Sequence, residues 1–553
     1  MRRYRQPWLS RPWLLPAAPL QALRVVWCCI VLLVERAVFH RAARRCGAHM
    51  QQSASFDVLV LADPQIIDRG TYEEASTVWL SVARHFSDAY LRKLWLALTG
   101  RGLGASLFGT GSLPDLVVFL GDVTDRGRWY KEKSTWDAAH ARWARIYDRI
   151  QVLQNATHEP LRPRTVRQRR DAIPALVMPG NHDIGLPAPA TGGPRAEHRS
   201  AYTWFLERFG VAVDRSTHTI AASGAPESVP SWNVRVPVST SRDASTAATH
   251  ELVLLNAQEL VGMQPLGTAA PAGLHPERGP DTAAAVEQLG LATRNSSGRI
   301  AAPRILFSHV PLARGAQEHS CEVPARSAVH GVRRESHRAG VPGGDILQGG
   351  GIFSTYQNLL QDGVSSWLLE RVQPALIFSG DDHDHCESVH RSWRVATMTH
   401  GSVAGFSPYD VPELTVKSVS MLEGVHRPGF SRLRLLAPPV DRLKQPMLDY
   451  TPCLLPDQVG LWLWAYVPFL IATLAYLAGR SIVTARGKED GDLLPSYTLQ
   501  SRAPRRSLLQ FSTATPPAPA RRSATMRCAR HMARELALAG IVPLILWIFL
   551  QTA

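Results

Sequence analysis

The chain has 553 residues, 45% hydrophobic and 19% charged, which is enough to bury a large core and excludes an intrinsically disordered protein. A formal charge of +15 would suit a nucleic-acid binder, but the arginines crowd into the two ends and a few loops, without an aromatic-interleaved basic stripe. Nucleic acid is therefore excluded as the expected partner, and the basic residues read better as flanks of membrane segments.

In chain order, residues 1–50 read as a short cytosolic stub and membrane anchor. An apolar stretch from Leu14 to Val34, broken by Gln21 and Arg24, follows Arg2, Arg3, Arg5 and Arg11. No small-x-small cleavage site follows closely, which favours an uncleaved anchor over a signal peptide. Residues 51–440 read as one lumenal domain. Short apolar runs at Val58–Ala62, Leu116–Leu120, Ala175–Met178, Ile305–Ser308 and Ala375–Ser379 predict buried strands. Helical spacing predicts helices over Glu73–Leu98 and Thr135–Leu153, and late strands are expected at Leu414–Met421 and Phe430–Leu436. Pro, Gly and Ala enrichment marks long insertions at Gln264–Pro303 and Ala313–Gly351. The fold class expected from this pattern is α/β, a two-sheet sandwich flanked by helices, plus transmembrane helices.

Residues 441–479 supply a linker and a second apolar stretch, Val459–Ala478, with the ~20 uncharged residues a bilayer crossing needs. Residues 480–535, with Arg502, Arg505, Arg506, Arg521, Arg522, Arg527, Arg530 and Arg534, read as a disordered cytosolic loop. Residues 536–553 form a last hydrophobic segment, either a span or a re-entrant helix. The positive loop puts the large domain in the lumen; Arg36, Arg41, Arg44 and Arg45 pull the other way. The sequons at Asn155 and Asn295 agree with the lumenal side.

The C-terminal ends of the five apolar runs carry every candidate ligand, where loops of open sheets converge. Gly121-Asp122-Val-Thr-Asp125-Arg-Gly127-Arg128, then Gly180-Asn181-His182-Asp183, then His383-Asp384-His385 are the parts of a two-metal hydrolytic site. Asp122 is the candidate bridging carboxylate between cations about 3.5–4 Å apart. Asp63, Gln65 and His385 would serve one ion, and Asn181, His309 and His383 the other. His182 would protonate the leaving alkoxide, with Asp183 orienting its ring. Asp125 is expected to brace the Asp122 turn. Arg126 and Arg128 could meet phosphate or form salt bridges. Of the seven cysteines, Cys321 and Cys386 are the candidate disulfide, which would tether the loop after His309 beside the metals; two unpaired thiols are the alternative.

These motifs, with Ala62-Asp63-Pro-Gln65, Ser308-His309-x-Pro and Ser379-Gly-Asp-Asp-His383-Asp-His385-Cys, resemble calcineurin-like metallophosphoesterases. Arg334-Glu335-Ser336, Tyr356-Gln-Asn358, Leu414-Thr-Val-Lys417 and Arg427-Pro-Gly-Phe430 extend the resemblance to the membrane-anchored fungal branch of the yeast cell-division-control type. The resemblance covers most of Phe56–Leu436. It implies a phosphodiesterase that removes ethanolamine phosphate from a mannose of the glycosylphosphatidylinositol (GPI) glycan, using two divalent metal ions, Mn(II) by preference. It also implies a GPI-anchored glycolipid or protein as substrate, GPI-cargo transport receptors as partners, and an endoplasmic reticulum or early Golgi membrane as location. Arg128 and Arg334 are the candidate substrate-binding cations. Two departures stand out: Gln65 replaces the superfamily's histidine, and Asp381 and Asp382 are extra acids in the last motif. A protein serine/threonine phosphatase and a non-catalytic cargo adaptor for GPI-anchored proteins are the alternatives.

Overall fold

The computed structural model describes residues 18–47, 55–72, 74–109, 113–154, 159–186, 196–214, 228–243, 249–261, 282–291, 302–314, 321, 331–338, 358–399, 402–437, 448–492 and 524–552. Both sequons, the arginines at 2–11 and those at 502–522 lie outside these residues. The chain divides into two compact units, Arg36–Gln458 and a second formed by Met1–Glu35 with Val459–Ala553.

The larger unit is mixed α/β, with several sheets flanked by helices. Its strands in chain order are β1 (Ser55–Leu61), β2 (Leu116–Phe119), β3 (Ile150–Val152), β4 (Ile173–Val177), β5 (Val211–Asp214), β6 (Ser228–Ser231) and β7 (Val234–Val238). They continue with β8 (His250–Leu255), β9 (Arg304–Ser308), β10 (Leu376–Ser379), β11 (Cys386–Thr399), β12 (Ser402–Thr415), β13 (Gly429–Leu436) and β14 (Leu448–Leu454). One six-stranded sheet has the order β14-β13-β1-β2-β4-β3, the other β11-β12-β10-β9-β8-β7, and β5-β6 form a separate pair. In each large sheet the central strands are parallel, β1-β2-β4 in one, which the edge strand β3 extends, and β12-β10-β9-β8 in the other. Parallel strands are buried on both faces, which is why they read as continuous apolar runs rather than alternating ones.

The period-2 geometry of strands divides those runs between cores. On one side Leu59, Leu61, Val117, Phe119 and Val177 pack with Tyr90, Trp95, Trp143 and Phe205 of helices Thr77–Leu98, Lys133–Ile146 and Arg199–Phe209. The intervening residues Val58, Val60, Val118 and Leu176 share a second cluster with Val236, Leu252, Phe307, Phe378 and Leu414, so both large sheets contribute to it. A third cluster sets Val253, Leu306 and Ile377 against Val286, Trp367 and Leu368 of helices Thr282–Leu291 and Asp362–Val372.

Three elements differ from expectation. The helix expected to reach Leu153 stops at Ile146, because Arg149 takes a left-handed φ of 62° and the chain re-enters the sheet as β3. The late strand expected at Leu414–Met421 ends at Thr415, and Ser418 makes only an isolated bridge to Ala62. β14 lies past residue 440 yet pairs along its length with β13, and Cys453 on it is disulfide-bonded to Cys46 of helix Val38–Gly47.

In the smaller unit two helices, Gln458–Thr484 and Cys528–Gln551, are long and apolar enough to cross a membrane. The helical segment Val467–Asp492 and the helix beginning at Ala524 extend into both ends of the segment expected to be disordered. The first apolar stretch forms the 15-residue helix Ala18–Leu32. Its polar residues find partners: Arg24 donates to the Leu538 carbonyl, and Trp27 Nε1 donates to Thr473 Oγ1 at 3.1 Å. Glu35, fully buried, accepts from Tyr466 at 2.8 Å and Gln551 at 3.0 Å.

Candidate metal centre

The site is built from loops that leave the C-terminal ends of β1, β2, β4, β9 and β10. Each loop is pinned by backbone hydrogen bonds as it leaves its strand. Gln65 N donates to Asp122 O at 2.8 Å and Gly380 N to His309 O at 2.9 Å. Val419 N donates to Ala62 O at 3.0 Å, and Ser418 Oγ to Asp63 O at 2.8 Å, tying the segment after β12 to the β1 loop. The loops then make unusual turns. Asp63, Gln65, Asp122, Asp381 and His383 all take left-handed φ, between 39° and 63°. Such backbone costs about 1–3 kcal/mol per residue and persists where surrounding structure over-determines it.

Two glycines make the convergence possible. A Cβ on Gly121, at φ +112°, would lie 2.7 Å from His309 Nδ1 and 2.8 Å from Pro179 O. A Cβ on Gly180 would collide with the Asp122 carboxylate and its backbone nitrogen.

Asp63, Asp122 and His309 form a fully buried group whose ligand atoms lie within 4.8 Å of one another. His309 Nδ1 donates to Leu120 O at 2.8 Å, which turns Nε2 toward the site. Nε2 lies 3.4 Å from Asp122 Oδ1, 3.4 Å from Asn181 Oδ1 and 3.5 Å from Asp381 Oδ1. Asp381 N reaches Asp63 Oδ1 at 3.3 Å. Three buried carboxylates thus share one imidazole. Burial opposes the His309 imidazolium, but Asp122, Asp381 and Asp63 outweigh it and push the pKa up to about 10. Burial, reinforced by Asp122 and Asp381, holds the Asp63 pKa well above the usual carboxylate range.

This donor set fits a divalent cation. Asp63 Oδ2, Asp381 Oδ2 and His385 Nε2 are buried without a hydrogen-bond partner among the described residues. Buried polar atoms left unpaired are costly, and carboxylates grouped with an imidazole are donors that a divalent ion satisfies.

Of the predicted ligands, Asp63, Asp122, Asn181 and His309 come together. Gln65 joins them through its amide, with Nε2 3.1 Å from Asp122 Oδ2 and 2.9 Å from His383 Nε2, and brings His383 to the same edge. His385 lies outside the compact buried group, beside Asp384 and Lys417; burial pushes its pKa down to about 4. Asp381, set aside in the sequence as an extra acid, lies against the group, with Oδ1 3.5 Å from His309 Nε2. The signal was present: Gly380-Asp381 after β10 repeats Gly121-Asp122 after β2.

The roles of two acids are exchanged. Asp183, expected to orient His182, accepts from the backbone N–H groups of Val123, Thr124 and Gly180 at 3.0–3.1 Å, and so clamps the Asp122 turn. The His182 ring is held by Asp125, with Nδ1 2.5 Å from its carbonyl and 3.3 Å from Oδ1. The reason is the short helix Asn181–Ile184, which turns Asp183 back toward its own N-terminus. Burial disfavours the His182 imidazolium, yet Asp122 and Asp125 together raise its pKa to about 9.

The two expected substrate cations are engaged with protein oxygens. Arg128 Nη1 donates to Asn181 O at 2.9 Å. Arg334 forks onto Asp382 at 2.8 and 2.9 Å, and Arg314 joins the same carboxylate at 3.1 Å. Cys321 and Cys386 form a disulfide. Glu335 accepts from Lys417 at 3.2 Å and from the His426 and Arg427 amides, which secures the Gly331–Arg338 loop.

Glu423 was not singled out by any motif. Its Oε2 lies 3.6 Å from His383 Nδ1, so His383 presents one nitrogen toward Gln65 and the other to a carboxylate. Burial first, then Asp125, Asp63 and Asp122, raise its pKa to about 8.

No protein-family model matches the chain. It is 26% identical over 468 residues to "Cell division control protein 1" of Saccharomyces cerevisiae, covering 82% of this chain and 73% of the yeast protein. The relative is of the yeast type that the motifs resembled.

Proposed function

We propose that this chain is a membrane-bound phosphoric ester hydrolase of the metallophosphoesterase type, on the two-sheet sandwich of that family. The reaction we assign is removal of ethanolamine phosphate from a mannose of the GPI glycan during GPI-protein maturation and transport. The observation that carries this reading is the convergence of Asp63, Asp122, Asn181, His309 and Asp381 on one buried point, with His182 at its edge. Asp63, Asp122, Asn181, His309, Asp381 and His383 are the residues that would hold two divalent ions, Mn(II) by chemistry of the donor set. Bound there, such ions supply charge neutralisation for a phosphoryl centre and an activated water. The chain's own residues do the rest. Asp183 fixes the Asp122 turn, Asp125 fixes the ring of His182, and His182 Nε2, 4.0 Å from Asp122 Oδ2, is free to turn its proton toward a departing alkoxide.

Two disulfides in the catalytic unit support an oxidising compartment, as expected for the lumen of the endoplasmic reticulum or early Golgi. The two long apolar helices support a multi-pass membrane protein. GPI-cargo transport receptors are the partners this reading implies. The test is release of phosphoethanolamine from a purified GPI glycolipid by the full-length protein with Mn(II). Release by wild type and its loss in Asp122→Asn is the expected result; equal behaviour of the two proteins, or no release by either, removes the proposal.

A further inference from the structure

Apart from the candidate metal centre, a second group among the described residues has the make-up of a metal site. Glu335, His337 and His426 each bring one ligand atom, and the three atoms lie within 4.8 Å of one another. The group joins two loops: Glu335 and His337 belong to Gly331–Arg338, and His426 lies three residues after Glu423. Both loops are anchored from below, through the buried side chains of Val332 and Val425. Glu335 N adds a bond to Asp384 Oδ2 at 2.8 Å.

The polar contacts hold the ligand atoms ready for an ion. His337 Nε2 donates to the Gly424 carbonyl at 2.8 Å. A carbonyl can only accept, so Nε2 carries the hydrogen and Nδ1 is the nitrogen turned to Glu335, 3.6 Å from its Oε2. An imidazole held through its far nitrogen by a backbone carbonyl is the common support of a metal-binding histidine. Glu335 is fixed as well: Oε1 accepts from Arg427 N at 2.9 Å and Lys417 Nζ at 3.2 Å, and Oε2 from His426 N at 2.8 Å. Lys417 is shared with Asp384, whose Oδ1 lies 2.5 Å from the ammonium, and it meets Oε1 rather than the oxygen that faces His337. The rings of His337 and His426 stand edge to face, with centroids 4.9 Å apart. His426 is exposed, and so is 45% of the His337 side chain, so a hydrated ion reaches both.

Bonds to Zn(II) of about 2.0–2.2 Å put two ligand atoms of one tetrahedral ion about 3.3–3.6 Å apart. Glu335 Oε2 and His337 Nδ1 already stand at that spacing. The third ligand closes by rotation of an exposed ring whose backbone amide is fixed on Glu335. Two imidazoles with one carboxylate suit Zn(II) better than Mn(II), which takes oxygen donors.

We infer that Glu335, His337 and His426 form a separate Zn(II) site, with its fourth position open to water, and that the ion clips the Gly331–Arg338 loop to residues 423–427. The clip bears on the metal centre through one residue. Glu423, next to the Gly424 carbonyl that holds His337, has its carboxylate 3.6 Å from His383 Nδ1. The zinc site stands whether or not the phosphodiesterase reading holds.

Two measurements on the full-length protein, loaded beforehand with Mn(II), test this. In equilibrium dialysis against Zn(II), read by metal mass spectrometry, wild type is expected to hold one more zinc per chain than His426→Gln. His337→Gln is expected to weaken that extra zinc at least about tenfold, since losing a partner that merely supports a ligand already costs that much. Both substitutions keep the backbone amides that bind Glu335, and zinc taken up at the candidate metal centre is common to all three proteins. Equal zinc uptake by wild type and either variant, as a plain His337–Glu335 ion pair would give, overturns the inference. An extra equivalent of Mn(II) in wild type over His426→Gln overturns the choice of zinc. In amide exchange, Zn(II) is expected to slow residues 332–338 and 422–427 in wild type and not in His426→Gln. Slowing of equal size in both proteins, or in neither, overturns the clip.

Discussion

Asp381 Oδ1 lies 3.5 Å from His309 Nε2, so an acid from the last motif meets the histidine of the preceding strand at the heart of the buried group. The neighbouring Asp382 points instead to Arg314 and Arg334. Two adjacent aspartates therefore have separable effects.

For Asp381→Asn, kcat/KM is expected to fall by at least about 100-fold, some 2.7 kcal/mol of transition-state stabilisation, with metal content by mass spectrometry reduced. Asp382→Asn is expected to act on stability, by about 1–3 kcal/mol, because Arg314 and Arg334 lose a shared carboxylate. Chemical denaturation of both variants checks the assignment; an Asp381→Asn protein with full metal content and activity would refute it.

Asp125→Asn and Asp183→Asn should also part company. Loss of the Asp125 charge removes one of the influences that raise the His182 pKa, so the alkaline limb of the pH–kcat profile is expected to move to lower pH. Asp183→Asn is expected to cost stability instead, since its carboxylate accepts three backbone N–H groups behind the Asp122 turn. Identical pH profiles for wild type and Asp125→Asn would contradict the role given to Asp125.

His140 is buried and stacked on Trp136 with ring centroids 3.6 Å apart. Burial pushes its pKa down to about 3, despite its hydrogen bond to the Trp136 carbonyl. The unfolded chain binds this proton near pH 6.5 and the folded one does not. Stability from this residue is thus complete above about pH 6.5 and falls as pH drops toward 3, by up to about 1.4 kcal/mol per pH unit. Urea unfolding of wild type and His140→Gln from pH 7 to pH 5 should show the gap between them changing with that sign.

The Cys321–Cys386 disulfide closes a separation of 65 residues, for which chain entropy gives about 4 kcal/mol. Cys321→Ser is expected to lower the midpoint of unfolding and to increase amide exchange in Gly331–Arg338, while β1 and β2 stay protected. Unchanged exchange in that loop would count against the tether.

Much of this was legible because buried parallel strands write themselves as apolar runs, and the residue after each run had to stand at the sheet edge. Asp63 and His309 stand directly after their runs, whereas Asp122 and Asn181 follow theirs after Gly121 and after Pro179-Gly180, and were picked out by the motifs around them. What was not legible depended on direction rather than position. Asp183 and Asp125 are both acids near His182, and only the tight turn of Asn181–Ile184 decides which one faces the ring. Glu423 sits in a loop without periodicity, and its approach to His383 is set by the path of the chain after β12, which no local spacing encodes. β14 follows a segment outside the described residues, so its pairing with β13 was beyond any local pattern.

The candidate ligands come from loops of both large sheets, and both sheets contribute to one buried apolar cluster that includes Val60, Val118, Phe307 and Phe378. A shift of about 1 Å in reacting groups can cost about 100-fold in rate. Trimming a side chain in that cluster, as in Phe307→Leu, should therefore misalign the two halves of the centre well before the domain melts. Such alleles are expected to be temperature-sensitive for activity at temperatures where circular dichroism still reports a folded protein.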